Sequence, residues 1–476
     1  MAGRTRRDAW KLQTWDPVLL WYARGIREMQ TRPANNPKSW AYQAAIHDFV
    51  AGSTPSSPPI PSTTDRKRFW GQCQHFCWFF LPWHRMYLLH FERIVADTIV
   101  QLGGPADWAL PYWNYSDATN PDARRLPKAF REQTLPDGTA NPLRVDERDA
   151  GNDGGLVGEV EDTDVCDALA RPRFVAQATG GDPGFGGGQS AFNHGGGFGM
   201  IAGEVERVPH GSMHVAVGGF MSQFDTAGLD PVFWLHHANI DRLWEVWRRR
   251  NPANVDPVEP LWLTGVKFQF HDSGGNIVTH TSSQVVNLAA PLLGYSYEDV
   301  SNPCDELEGV EPGGTMTDRR PEMVGATFTP IQLGTGHTVA EVELSTPSGP
   351  MLESVGAAPK TFLNIENIVG SGKPASYGVY INVPEGDDPE QHRDLFAGIL
   401  PMFGLAEASI RDAAHSGSGL HYTLDITRVV QRLEERGTWD TATMRVSFLP
   451  RRRGLTTLEE TPGRTIQVGR VSVYVG

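Results

Sequence analysis

The stretch GQCQHFCWFFLPWHRMYLLHFER, from Gly71 to Arg93, limits the choice of fold more than any other part of the chain. It sets His75, His84 and His90 in a densely aromatic tract, with Cys73 two residues before the first of them. An imidazole is costly to bury unless its ring nitrogens find partners. A fold that buries this tract must therefore supply partners for those rings. The other histidines, out of fifteen in the chain, are also unevenly placed. His47 ends the helical-looking SWAYQAAIH, His210 and His214 form HGSMH, and His236-His237 sit inside DPVFWLHHANIDRLWEVW.

Spacing indicates how these rings meet. HGSMH places two imidazoles one turn apart on one helix face, which suits a single metal ion, although an isolated His-x-x-x-His is weak evidence. His75 and His84 are nine residues apart and would point oppositely from one straight helix. Pro82 removes the conflict by opening a helix that carries His84 and leaving His75 on the preceding loop. The groupings suggest three histidines on each of two metals, His47, His75 and His84 in one set and His210, His214 and His237 in the other. Imidazoles without clustered carboxylates or paired thiolates suit an imidazole-favouring metal, and oxygen-binding dicopper follows that logic. Spacing alone leaves two zinc ions or a di-iron site open, although di-iron bundles use Glu-x-x-His.

Bulk properties narrow the function classes. A chain of 476 residues is long for one core and predicts two domains. The formal net charge of -14 argues against nucleic acid or an anionic membrane as partner. No stretch approaches ~20 apolar residues, so none is expected to span a membrane. The N-terminal MAGRTRRDAWKLQTWD lacks the apolar run of a signal peptide, so the chain is read as cytoplasmic. Of the four cysteines, one pair could be bridged, but the preferred reading is small buried side chains, with Cys73 set apart.

Texture divides the chain. Residues 1–305 carry helical periodicity, as in WDPVLLWYARGIREMQ, with Asp16-Pro17 as a suitable helix start. Within them the tract 147–203, ending in GGDPGFGGGQSAFNHGGGFGM, reads as a long surface loop. Residues 306–321 read as a linker. Residues 322–476 hold strand-like runs such as HTVAEVEL, YGVYINV, MRVSFLP and VGRVSVYVG, interrupted by the helix-like DITRVVQRLEERG. The expected fold is a mainly α domain, a four-helix bundle with long loops, followed by a C-terminal β-sandwich.

FLPWHRMYLLHFE, LPYWNY, HGSMHVAVGG and LDPVFWLHHANIDRLWEVW resemble the motifs of the tyrosinase, catechol oxidase and molluscan haemocyanin family of coupled binuclear copper proteins. The likeness is greatest to plant-type polyphenol oxidases. GIREMQTRPANNPKSWAYQAAIH, EVERVPHGSMH, LLGYSYEDV and the C-terminal VVQRLEERGTWDTATMRVSFLPR extend it over nearly the whole chain.

The resemblance implies two copper ions, copper A on His47, His75 and His84 and copper B on His210, His214 and His237, with O2 as co-substrate. His236 becomes a packing residue, His90 a satisfied helix histidine, and Asp241 a carboxylate orienting a ligand ring. Phe224 falls where the family places a bulky gate over copper A, and Glu206 where it places a carboxylate holding a water near copper B. Gly211 and Val215 stand where polar neighbours would assist that water. Plant enzymes carry a thioether cysteine four residues after the first copper histidine, where this chain has Ala51. Cys73-x-His75 instead matches the fungal and haemocyanin version, implying a thioether from Cys73 to His75. The implied activity is oxidation of small o-diphenols to o-quinones, with weaker monophenol hydroxylation; an o-aminophenol oxidase and a haemocyanin-like oxygen-binding protein are the alternatives. A plant-type C-terminal domain implies a lid and a latent enzyme, with LPMFGLA (400–406) as the expected plug.

Overall fold

The computed structural model describes residues 3–52, 58–149, 152–178, 180–191, 201–304, 320–345, 359–372, 375–411, 417–451 and 465–476. The expected linker at 306–321 falls almost wholly outside them, as does part of the glycine-rich tract, 192–200. Contacts group the chain into two compact units. The first comprises residues 1–74, 79–163 and 216–306; the second comprises 75–78, 164–215 and 307–476.

Four helices dominate the first unit: α1 (Pro17–Gln30), α2 (Trp40–His47), α3 (Phe80–Gln101) and α4 (Pro231–Arg250). Their starts are local chemistry. Asp16 and Asp230 accept from the backbone N–H two residues on, each followed by a proline in the first turn, and Ser39 caps α2 through Tyr42 N–H. A methyl group added to Gly25 of α1 would lie 3.3 Å from Ile99 Cγ1 and 3.4 Å from Val95 Cγ1, so α1 and α3 pack at close range.

The same unit buries an ionic network. The strand Arg4–Arg6 pairs in parallel with Tyr295–Tyr297, bringing Arg6 to Glu92 and Asp241. Asp241 also accepts from Arg85 Nε, Tyr295 Oη (2.7 Å) and Tyr297 Oη (2.5 Å). Burial alone would raise the Asp241 carboxyl, but Arg85 and Arg6 together hold it below the usual carboxylate range. This corrects the expectation that Asp241 orients a ligand imidazole: its oxygens serve two arginines and two tyrosines.

The second unit contains one nine-stranded sheet: β1 (Glu322–Ala326), β2 (Ile331–Leu333), β3 (Thr338–Leu344), β4 (Thr361–Ser371), β5 (Ser376–Ile381), β6 (Phe396–Pro401), β7 (Leu420–Asp425), β8 (Thr443–Pro450) and β9 (Thr465–Val475). Its order is β6-β5-β8-β3-β1-β9-β4-β7, with β2 paired to β9 and every pairing antiparallel. Among the described residues these strands form one sheet and not the two facing sheets of a sandwich. Strand alternation specifies that a face is buried, not what covers it. Here the helices Leu405–Ser409 and Thr427–Glu435 pack on β4, and register shifts at Phe396/Gly398, Leu420/Tyr422 and Val473/Tyr474 bend the strands as bulges do.

Segment 164–215 is tied into this sheet unit. Arg171 pairs with Asp182 and Asp425, Asn364 donates to Gly180 O (2.9 Å), and Arg207 Nη1 donates to Ile399 O (2.8 Å). The glycine-rich stretch 180–188 within it is buried, not the surface loop expected. Gly184 has φ +66°, and a side chain on Gly186 would collide with the Phe174 ring. Close approach lets Phe185 and Gly186 N–H donate to Arg173 and Phe174 carbonyls, which satisfies the buried backbone. Cys166 and Cys304 are disulfide-bonded, which corrects their reading as small buried side chains, while Cys73 and Cys77 are buried thiols. Four scattered cysteines carry no pairing signal in sequence.

Candidate metal centre

In the first unit His47, His84 and His237 converge from the end of α2, the start of α3 and the middle of α4. Their ring centroids are 5.8 Å (His47–His84), 4.4 Å (His84–His237) and 6.4 Å (His47–His237) apart. His47 Nδ1 donates to Phe224 O (2.9 Å) and His84 Nδ1 to Phe80 O (2.8 Å). These carbonyls fix the tautomer that leaves Nε2 as the ligand atom. Phe224 thus holds His47 through its backbone as well as placing its ring edge-on to it, centroids 5.6 Å apart. Neighbouring His236 has its Nδ1 3.1 Å from Tyr115 Oη, and His90 meets His280, Nε2 to Nε2, at 2.9 Å.

In the second unit His75, Glu206 and His210 form a group whose polar atoms could share one ion. Glu206 opens an irregular helical turn, Glu206–Gly211, in which Val208 is extended, and this runs into the helix Ser212–Val217. Glu206 Oε1 accepts from His75 Nδ1 (3.0 Å) and from Phe76 N–H (2.7 Å). The Glu206 carbonyl accepts from His210 Nδ1 (3.2 Å). Burial pushes the Glu206 carboxyl well above its ordinary range, and Oε2 meets no hydrogen-bond donor among the described residues. The His75 and His210 rings lie 5.4 Å apart, and those of His210 and His214 4.6 Å apart.

Phe403, in the turn after β6, lies against all three of these imidazoles. Its ring centroid is 3.9 Å from His214, 5.6 Å from His210 and 6.0 Å from His75. Tyr422 Oη donates to Pro401 O (2.7 Å) and Met402 N–H to Ala375 O (2.8 Å), which pins the turn. A methyl group on Gly211 would come within 3.0 Å of Pro401 Cγ. Val215 is buried.

The donor set fits copper. Of the six histidines expected as ligands, His47, His84, His75 and His210 each hold Nδ1 on an oxygen acceptor, the outer-shell arrangement of metal-ligating imidazoles. Reasoning from sequence missed the Phe224, Phe80 and Glu206 carbonyls, because a backbone acceptor leaves no mark in residue identity. It also missed His280, Tyr422 and Arg207.

Buried histidines whose Nδ1 atoms are held by oxygen acceptors fit the metal-ligating imidazoles of a dicopper oxidoreductase, and comparison with known proteins places the chain in that class. The model of the common central domain of tyrosinase matches residues 37–163 and 159–250, and a domain of unknown function, DUF7868, matches residues 320–476. Tyrosinase HcTyr1 of Hahella sp. (strain CCB-MM4) is 35% identical over 99% of both chains. The latent chloroplastic polyphenol oxidase of Prunus armeniaca is 30% identical over 61% of this chain, which spans 48% of that protein. In fold the chain is similar to latent aurone synthase (TM-score 0.67, 22% identity, 99% of this chain and 89% of that one) and to latent apple tyrosinase (TM-score 0.64, 21%, 100% and 98%). The chain belongs to the tyrosinase family and is a copper-dependent phenol oxidase. No helix among the described residues is long and apolar enough to cross a membrane.

Proposed function

We propose that this enzyme oxidises small o-diphenols to o-quinones in preference to hydroxylating monophenols, and that its C-terminal domain keeps it latent. His47, His75 and His84 are assigned to copper A, and His210, His214 and His237 to copper B, from their motif positions within the family; the Nδ1 acceptors of four of them support the assignment. When bound, the copper pair supplies the O2-dependent removal of two electrons from each diphenol. Two diphenols and one O2 then give two o-quinones and two waters.

One observation carries the substrate preference: Glu206 Oε1 is already engaged by two donors, and Gly211 offers no side chain to help polarise a water on Oε2. Glu206 Oε2 is the atom left to hold that water. A diphenol needs less help, because one hydroxyl binds while the other is oxidised. Val215 is apolar and adds no polar assistance. Phe224, edge-on to His47, walls the copper A side.

Cys73 is assigned a thioether to His75, which would leave the protein two hydrogens lighter than its sequence mass after the Cys166–Cys304 disulfide has been reduced. Full mass under those conditions, with a reactive thiol at Cys73 after copper loading, would refute the bond. Phe403 supports latency, since its ring occupies the approach to His214. Oxygen uptake by copper-loaded protein with 4-methylcatechol against tyrosol tests the preference. A tyrosol rate equal to that of 4-methylcatechol would reassign the enzyme as a full tyrosinase.

A further inference from the structure

Glu206 touches more of the site than a water-holding role requires. Its carboxylate and its main-chain carbonyl each take the Nδ1 proton of a different histidine, His75 at 3.0 Å and His210 at 3.2 Å. The same Oε1 receives Phe76 N–H at 2.7 Å, and Phe76 has φ +54°, a left-handed conformation that a bulky residue adopts only when its surroundings hold it there. The two rings so held are stacked, 5.4 Å apart with 29° between their planes.

We propose that Glu206 is a positioning residue for both copper sets, fixing the tautomer and ring plane of His75 through its carboxylate and of His210 through its carbonyl. The inference rests on the ligand assignment given above. A neutral imidazole with Nδ1–H held by an oxygen presents the Nε2 lone pair outward. The left-handed turn at Phe76 is the backbone condition for this: it aims the N–H of Phe76 and the ring of His75 at one oxygen.

The test uses full-length Glu206→Gln, Glu206→Ala and the double variant Glu206→Ala/Phe76→Gly. Each is loaded with copper and challenged with a chelator, while intact mass after reduction of the Cys166–Cys304 disulfide reports the thioether at Cys73. Glutamine keeps an oxygen acceptor, so it should retain two coppers, release them within about twofold of the wild-type rate and show the mass deficit. Alanine should release copper at least tenfold faster, as loss of an outer-shell acceptor costs ~10–100-fold in metal affinity, and should stay at full mass. Glycine at position 76 accepts positive φ without strain, so the double variant should recover thermal stability lost by alanine without recovering chelator resistance.

Alanine holding copper as tightly as wild type would overturn the proposal. So would glutamine failing as badly as alanine, or the double variant regaining chelator resistance, which would reduce Glu206 to a loop support. Wild-type protein that takes up no copper would overturn the ligand assignment itself, and the proposal with it.

Discussion

The ring of Phe403 lies flat on that of His214, with centroids 3.9 Å apart and planes 11° from parallel. A phenol bound at the same imidazole would need the face that Phe403 occupies. Phe403→Ala in the full-length chain is therefore expected to raise 4-methylcatechol oxidation severalfold and to remove most of the stimulation by mild detergent. Because the ring is buried, alanine also costs ~3–5 kcal/mol of packing, and Phe403→Leu gives the milder comparison. Initial oxygen uptake with and without detergent measures both effects. An unchanged rate that detergent still stimulates would remove Phe403 as the plug.

Position 211 couples substrate choice to the same turn. A methyl group on Gly211 would stand only 3.0 Å from Pro401 Cγ, so any side chain there pushes on the end of β6. Gly211→Ala should raise tyrosol and 4-methylcatechol rates together by loosening the turn. Gly211→Asn adds an amide beside Glu206 and should also raise the tyrosol-to-catechol ratio, where ~1.4 kcal/mol on the deprotonating step is tenfold. Equal ratios in the two variants would show that the amide contributes nothing.

Asp241→Ala is expected to cost ~3–5 kcal/mol in equilibrium unfolding, because it leaves Arg6 and Arg85 buried without their shared carboxylate. Glu92 and Glu245 remain beside them and set the lower end of that range. A loss below ~1 kcal/mol would mean that the tyrosines and glutamates satisfy both arginines unaided.

The His90–His280 pair predicts a pH dependence of stability that copper plays no part in. Burial, and then His280, brings His90 down to about 3, and burial lowers His280 as well. Arg93 adds to the lowering, His271 contributes a little, and Asp272 opposes it. Histidines whose folded pKa is depressed stabilise the fold above the unfolded value and lose that contribution as pH falls. Stability should decline below about pH 6.5, by up to ~1.4 kcal/mol per pH unit for each histidine, with the His90 contribution ending near pH 3. Urea midpoints of the metal-free protein across pH 7 to 4.5, compared with His90→Leu/His280→Leu, check this. The same slope in the double variant would assign it to other groups.

What can be read from sequence divides by range. Asp16-Pro17 and Asp230-Pro231 announce their helices because a cap is written within three residues, and HGSMH announces two imidazoles one turn apart. The β unit is legible as strands, but β4, β6 and β7 do not stand out, and the order of nine strands in one sheet depends on pairings such as Val446 with Ile381 that no local pattern encodes. The role of Asp241 is misread because its partners come from Arg6, Arg85, Tyr295 and Tyr297, far apart in sequence. The stretch 400–406 is expected from sequence to hold a plug, but which of its residues lies on His214 depends on the turn's geometry, which puts the Phe403 ring there.

The membership of 164–215 in the β unit has a consequence for synthesis. His210 and His214 leave the ribosome roughly 260 residues before the last strand, β9, is complete. At ~5–20 residues per second that is an interval of tens of seconds in which Arg171 lacks Asp425 and Arg207 lacks the Ile399 carbonyl. The imidazoles of this segment are therefore expected to gain their scaffold only once the C-terminal strands that hold it have been made, so that copper loading of His210 and His214 follows synthesis of the whole sheet.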